Sequence, residues 1–332
     1  MPPHVDLAAA PAGSALSPPR SPRLPLGAHV GDRVWSALLV AMGGAVLVVV
    51  GLIVLELVQV ARPALAAGTT RFLLRQDWDP VLGSFGALPF IYGSVVTSAI
   101  AIALALPISV GLSLFLSEMG PVRLRRPVAF AIETLAAIPS VVYGLWGLFV
   151  MVPLLREHVE PFLGRTLGFI PLFSGPPIGL GYLAAGLILT VMILPTICSV
   201  TGEVLKTVPP ALREGAFALG ATRWEAIRMA VLPYARPGIL GAALLGLGRA
   251  LGETMAVTMV IGNSPEIRGS LFAAGYTLPA VIANEFAEAT GDLHVGALAA
   301  LALVLFGLSL VLNALARLLV RLVARGPARS VA

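Results

Sequence analysis

The sequence predicts an all-α integral membrane protein that crosses the bilayer about six times. Of its 332 residues, 58% are hydrophobic and only 12% charged, where soluble domains carry about 25% charged residues. The apolar residues gather into six runs, at about residues 34–60, 91–117, 129–154, 180–200, 237–262 and 293–316. Each can cross roughly 30 Å of hydrocarbon at about 1.5 Å per residue. The Lys and Arg residues lie unevenly in the connections between the runs, which gives the array a direction.

Residues 1–31 hold seven prolines among Ala and Ser. They cannot bury enough apolar surface to fold alone and read as a disordered tail. The first run, Val34–Val60, has Glu56 as its only charge and exceeds a signal-peptide core, so it is expected to remain as an uncleaved span. Ala64-Leu65-Ala66 resembles a cleavage signal, but such triplets are common in an Ala-rich chain. Later runs are broken by Pro107, Pro139, Gly144, Gly147 and Pro195. Bundled membrane helices tolerate these residues, which permit kinks and close packing.

The tail, the 118–128 and 201–236 connections and residues 317–332 carry fifteen Lys/Arg, and the opposite connections 61–90, 155–179 and 263–292 carry six. The richer side is expected to be cytoplasmic, with both termini on it. Residues 32–325 then form the transmembrane domain and 326–332 a short cytoplasmic tail. On the outer side, YTLPAVIANEFAE within 263–292 is expected to form a short helix near the interface, as a solvated surface or a docking surface for an extracytoplasmic partner.

Several function classes are disfavoured. The net charge of +5 is scattered between apolar runs, unlike a nucleic-acid footprint. Cys198, the only cysteine, lies in LPTICSV and reads as a small buried hydrophobe. His4, His29, His158 and His294 are dispersed and no HExxH occurs, which leaves an intramembrane enzyme without a catalytic set.

The 201–236 connection is too polar to span. Pro209 and Pro210 suit a helix start, Gly220 can end that helix, and Thr222 can cap the next with Glu225 in the capping-box position. Pro233 is expected to close the second helix. Its Trp224, Ile227, Met229 and Val231, set between charges, suit docking into a partner's groove or lying on the membrane surface, and pattern alone favours neither.

Arg249 sits halfway along the fifth run. An arginine at the centre of a lipid-facing helix costs about 2.5–3.5 kcal/mol or more, so a bundle interior or polar pathway is expected. Glu253, four residues on, would share its helical face. The two form either a neutralised buried pair or a partly balanced guanidinium fork presented to an oxyanion. Gly246, Gly248 and Gly252 leave room for an ion or another helix, and Thr254 and Thr258 add hydroxyls.

The stretch EGAFALGATRWEAIRMAVLP resembles the EAA loop of ABC importer permeases through Glu214, Gly215, Ala216, Gly220, Ile227, Leu232 and Pro233, with Gly215 departing from the usual alanine. GLGRALGETMAVTMVIGN and ETLAAIPSVVYGLWGLFV are similar to signatures of the PstC-type permeases of phosphate importers, a resemblance covering about residues 30–325. It implies a type I ABC importer permease fold in the bacterial inner membrane, with the loop, Trp224 included, as the coupling helix. It also implies Arg249, Glu253, Thr254 and Thr258 on the route of inorganic phosphate. The implied partners are a PstA-type permease, two PstB-type ATPases carrying ATP and Mg, and a PstS-type binding protein. Phosphate-sensing regulatory proteins are a further class that the resemblance leaves open. The chain itself has no GxxxxGK[ST], is expected to bind no cofactor or metal, and is not expected to be an enzyme. Glu133, near the inner end of the third run, ranks below the Arg249 pair. The charge pattern does not separate phosphate from molybdate or sulfate, and an ion-driven carrier would not need the EAA-type loop.

Overall fold

The computed structural model describes residues 26–66 and 69–324. Among these residues the structure is helical, apart from turns and an isolated antiparallel bridge between Asp79 and Ser84. In chain order the helices are α1 (Leu26–Leu65), α2 (Thr69–Leu74), α3 (Leu88–Met119), α4 (Val122–Ala137), α5 (Ser140–Leu167) and α6 (Tyr182–Lys206). They continue with α7 (Pro210–Ala218), α8 (Arg223–Gly252), α9 (Met255–Val260), α10 (Leu278–Glu285) and α11 (Asp292–Ala324). Six of them, α1, α3, α5, α6, α8 and α11, are long and apolar enough to cross a membrane.

The chain divides into a unit ending at Ile53 and a unit from Val54 onward. The first is the leading part of α1, whose described side chains are exposed and, after Asp32, Arg33 and Ser36, apolar, Leu47 and Val40 among them, as suits a lipid-facing helix. Residues 1–25 of the expected tail and the expected segment 326–332 lie outside the described residues. Residues 26–31, also assigned to the tail, belong to α1.

The second unit is organised around α6. Two thirds of its apolar window (67%) is buried, against 28–33% for the other spans of the unit. Tyr182, Ile188, Leu189, Ile193 and Ile197 on this helix are among the largest fully buried side chains. Serines join it to α3: Ser109 donates to Leu194 O at 3.0 Å and Ser113 to Cys198 O at 2.8 Å. Without a hydrophobic force between helices in lipid, such bonds and close packing hold a bundle together. Gly246 provides the close packing on α8, because a Cβ there would stand 2.7 Å from Ile197 Cδ1. Cys198 is buried, as its apolar surroundings predict.

Prolines explain where the structure departs from the expected boundaries. Each of the four π-helical turns, Phe115–Met119, Gly147–Met151, Leu155–Val159 and Ile227–Val231, ends two residues before a proline: Pro121, Pro153, Pro161 and Pro233. Proline supplies no N–H and its ring collides with the carbonyl four residues back. The wider turn shifts the preceding amide by one carbonyl; Leu232 N–H, for example, donates to Ile227 O. Pro233 therefore does not close a helix, and α8 runs through it into the membrane. Pro153 and Pro161 likewise lie inside α5. The true break is at Ile138–Pro139, both extended, because a proline drives its predecessor out of the helical region. The third span is accordingly Ser140–Leu167 rather than 129–154, and α4 precedes it as a separate helix.

At the expected outer end, backbone carbonyls meet the first amides of α6: Tyr182 N–H donates to Ala273 O (3.2 Å) and Leu183 N–H to Leu271 O (2.9 Å). This satisfies donors that a helix start leaves without internal partners. The short helix anticipated in 263–292 is α10. Its first half does not lie on a surface: Leu278, Pro279, Ala280 and Val281 are all buried, and Leu278 N–H donates to Ser94 Oγ at 2.9 Å, whereas Ala283 and the following Phe286 are exposed.

Candidate functional site

Arg249 occupies the last turn of α8. Counting about 1.5 Å per residue, it lies about 18 Å along the axis from Pro237, where the expected fifth run begins, but close to the end of the observed span Arg223–Gly252 rather than halfway along it. The helix does not continue to Glu253. It ends at Gly252, Glu253 is extended (φ −71°, ψ 127°), and α9 starts at Met255. The expected shared face is therefore lost and the pair is not formed. Glu253 Oε1 instead accepts the Ala256 N–H at 3.3 Å, capping the next helix. Arg249 makes no salt bridge among the described residues. Its guanidinium is exposed and donates a long bond of 3.4 Å to Thr196 Oγ1 on α6. A cation near a helix C-terminus is favourable, because the last carbonyls carry partial negative charge.

The neighbouring groups are arranged accordingly. A Cβ on Gly248 or Gly252 would meet nothing within 4 Å, so this face of α8 is open beside Arg249. Thr258 donates its hydroxyl to Thr254 O (2.8 Å) and Thr254 to Gly252 O (3.4 Å). Both threonines thus spend their donors on backbone carbonyls and present lone pairs only. Gly144 on α5 brings α9 close: a Cβ there would stand 3.1 Å from Ala256 Cα. The result is a discontinuous membrane helix with an unneutralised guanidinium at the break, an arrangement able to hold an anion.

Of the expected 201–236 connection, residues 201–206 continue α6, and the rest forms α7 and the first turns of α8. The Thr222–Glu225 capping box is present: Thr222 N–H donates to Glu225 Oε2 at 2.7 Å, and Glu225 N–H to Thr222 Oγ1 at 3.4 Å. Gly220 adopts φ +84°, the left-handed conformation that ends α7. Of the apolar residues expected on the free face, Ile227 and Val231 are instead buried against Leu114, Leu205 and Val208. They anchor the connection to the bundle. Leu232 is half-buried, and Glu214, Gly215 and Pro233 are exposed. Trp224 and Met229 stay free, and Phe217 and Leu219 join them.

Sequence reasoning missed a pair that fastens this connection. Arg213 on α7 meets Glu118 on the π turn of α3 at 2.7 Å, with side chains 24% and 15% exposed. The same guanidinium donates to Leu205 O (3.0 Å) and Val208 O (2.8 Å), closing the carbonyl end of α6. The one local signal was Glu118 itself, a lone acid ending an apolar run. Among the described residues no cluster of metal-ligating side chains occurs.

The profile of the family described as "Binding-protein-dependent transport system inner membrane component" matches residues 81–325. The phosphate transport system permease protein PstC of Mesorhizobium japonicum is 48% identical over 299 residues, covering 89% of this chain and 91% of the relative. The protein of the same name from Haemophilus influenzae is 49% identical over 253 residues, covering 75% and 80%. In fold, the chain is similar to one in the crystal structure of a bacterial alginate ABC transporter in complex with alginate pentasaccharide-bound periplasmic protein. The TM-score is 0.61 at 15% identity, covering 89% of this chain and 96% of that one. The profile match over most of the length and these relatives agree, and the chain belongs to the family of binding-protein-dependent transport system inner membrane components, in its PstC branch.

Proposed function

We propose that this chain is a membrane-spanning permease subunit of an ATP-driven importer, forms half of the route for inorganic phosphate, and performs no hydrolysis itself. The observation that carries this reading is Arg249: an exposed guanidinium in the last turn of a helix long and apolar enough to cross a membrane, with no carboxylate on it, at a helix break. Facing lipid it would cost about 2.5–3.5 kcal/mol or more, so it faces a polar route. Its planar fork suits a tetrahedral oxyanion. Glu253 lowers the net charge nearby without occupying that fork, which favours release. Thr254 and Thr258 accept hydrogen bonds from a protonated oxygen. Relatives named as phosphate transport permeases, at 48% and 49% identity, support phosphate as the cargo.

In this reading the chain adopts the type I importer permease fold in the inner membrane, with both termini cytoplasmic, as the Lys/Arg bias implies. It pairs with a PstA-type permease and receives phosphate from a PstS-type binding protein outside. Two PstB-type ATPases bind inside and carry ATP and Mg. The exposed Phe217, Leu219, Trp224 and Met229 on α7 and early α8 fill a cleft of an ATPase, and Glu214, Gly215, Ala216 and Gly220 shape that surface. Leu232 and Pro233 carry it into the membrane, and buried Ile227 roots it. Closure of the ATPases on ATP moves this element, and access to Arg249 passes from outside to inside.

Reconstitution of the four-component system tests this, with ATP-dependent uptake of phosphate, sulfate and molybdate measured side by side. Uptake of phosphate over the other two is expected. Preferential uptake of another oxyanion would sink the assignment of cargo, and ATP-independent uptake the assignment of class.

A further inference from the structure

Between Arg249 and the cytoplasmic connection lies a cavity of about 280 Å³ walled by α3, α4 and α6. At about 30 Å³ per water it has room for a tetrahedral oxyanion with part of its hydration shell. Its polar wall is unusual for a helix bundle, because it includes Ser117, Arg125, Glu133, Ser199, Glu203 and Lys206. Ser117 Oγ is buried with no hydrogen-bond partner, an unspent group of the kind that costs free energy unless something fills it. Arg125 is held by its Nε, which donates to Gly120 O at 2.9 Å. Its terminal nitrogens have no protein partner among the described residues, and it makes no salt bridge there. Lys206 is already paired with Glu203 at 2.7 Å. Glu133, two turns beyond Arg125 on the same helix α4, is exposed with no such cation on it.

The cavity lies along the face of α6 that Arg249 touches. Thr196, which receives the Arg249 bond, is followed on α6 by Ser199 and Glu203 at spacings of three and seven residues, one face of a helix. We propose that this cavity is a second, inner binding station for hydrogen phosphate on its way from Arg249 to the cytoplasm. Arg125 and Ser117 donate to its oxygens, and Glu133 accepts its proton-bearing oxygen. Phosphate at neutral pH carries a proton that sulfate and molybdate lack, so Glu133 repels the latter two and bonds the former. The inference rests on the phosphate-import reading above. It gives Glu133 a role that the Arg249 site leaves open. The station also sits where coupling can act on it, because Ser117 and Glu118 share one π turn and Glu118 is bound to Arg213 of α7.

The test uses the complete reconstituted complex carrying Ser199→Cys, labelled with a small methanethiosulfonate from the cytoplasmic side and read by peptide mass. Inorganic phosphate at twice its Kd for the station should slow labelling about threefold, since protection scales as one plus ligand over Kd. Adding Arg125→Gln should abolish the protection, Arg125→Lys should retain part of it, and Glu133→Gln should extend it to sulfate. Complexes of each variant that elute intact exclude a folding defect as the cause. Equal labelling with and without phosphate, in a preparation that imports phosphate, overturns the station; so does protection that survives Arg125→Gln. If the preparation imports sulfate or molybdate instead, the cargo assignment fails; protection of the Ser199→Cys complex by phosphate alone would still support the station, and its protection by sulfate or molybdate would overturn it.

Discussion

Replacing Arg213 with alanine tests whether the cytoplasmic connection is braced to the bundle through a single ion pair. The substitution removes the 2.7 Å contact with Glu118 and the bonds to Leu205 O and Val208 O. It leaves a carboxylate only 15% exposed without its cation. Breaking a largely buried pair by deleting one partner costs about 3–5 kcal/mol, chiefly because the remaining charge stays desolvated. Glu118→Gln keeps the volume and leaves Arg213 on its two carbonyls, so its cost is that of one charged hydrogen bond, about 1.5–3 kcal/mol. Thermal unfolding followed by tryptophan fluorescence should order the variants wild type, Glu118→Gln, Arg213→Ala. The double variant Glu118→Gln/Arg213→Ala should close a cycle with a coupling energy of about 1–3 kcal/mol. In the complex, phosphate carried per ATP should fall while ATP hydrolysis persists, because the docking surface remains and its brace does not. Single-variant effects that add to within about 0.3–0.5 kcal/mol would refute the brace.

Arg249→Gln should lower ATP-dependent phosphate uptake by at least about tenfold, or 1.4 kcal/mol, with complex assembly unchanged, because its one bond is the 3.4 Å contact to Thr196; uptake at the wild-type level would remove it from the route. Gly220→Ala places a side chain at φ +84° with nothing within 4 Å of its Cβ. Its cost is backbone strain of about 1–2 kcal/mol, read as weaker ATPase coupling, and Gly220→Asn should recover part of it. Burial pushes the Tyr276 phenol above its ordinary range; the Asn284 bond opposes this, and the Glu285 and Glu288 charges add to it. The folded state therefore favours the protonated phenol. Its contribution is complete below about pH 10 and is lost as pH rises above that, so Tyr276→Phe should flatten the alkaline fall in stability measured by unfolding against pH.

What was legible in the sequence depended on range. The Thr222–Glu225 box and the Gly220 terminus are local, set by residues within a turn of one another, and both formed as their spacing implies. Arg249 was legible because a charge in an apolar run is conspicuous wherever the helix ends. The Arg249–Glu253 pairing was not, because it assumed a regular helix through Gly252, and Glu253 instead caps α9. Glu118 and Arg213 stand 95 residues apart, and no periodicity joins them. Ile227 and Met229 have similar hydropathy and neighbouring positions, yet one is buried and the other 71% exposed. Only the presence of Leu205 and Val208 beneath Ile227 decides between them.

Pro233 has the largest consequence for mechanism. Read as a helix end, it separates a docking element from the span that carries Arg249. The π turn before it lets one helix run from Arg223 to Gly252, so Trp224 and Arg249 ride on the same element. At about 1.5 Å per residue they stand about 38 Å apart along it. A continuous helix transmits displacement along its axis even with Pro237 inside it, whereas two helices joined at a proline would dissipate it in the joint. Under the function proposed above, movement of Trp224 in an ATPase cleft shifts Arg249 directly, and the break at Glu253 marks where that element stops. The outer segment beyond the break, whose neighbour Tyr182 is tied by its backbone to Ala273, can stay in place while α8 moves. On this account coupling strength depends on the π turn itself. Pro233→Ala, which permits an ordinary α turn, should rotate Trp224 relative to Arg249 by one residue's worth of helix and lower phosphate carried per ATP. Unchanged coupling in that variant would separate the turn from the mechanism.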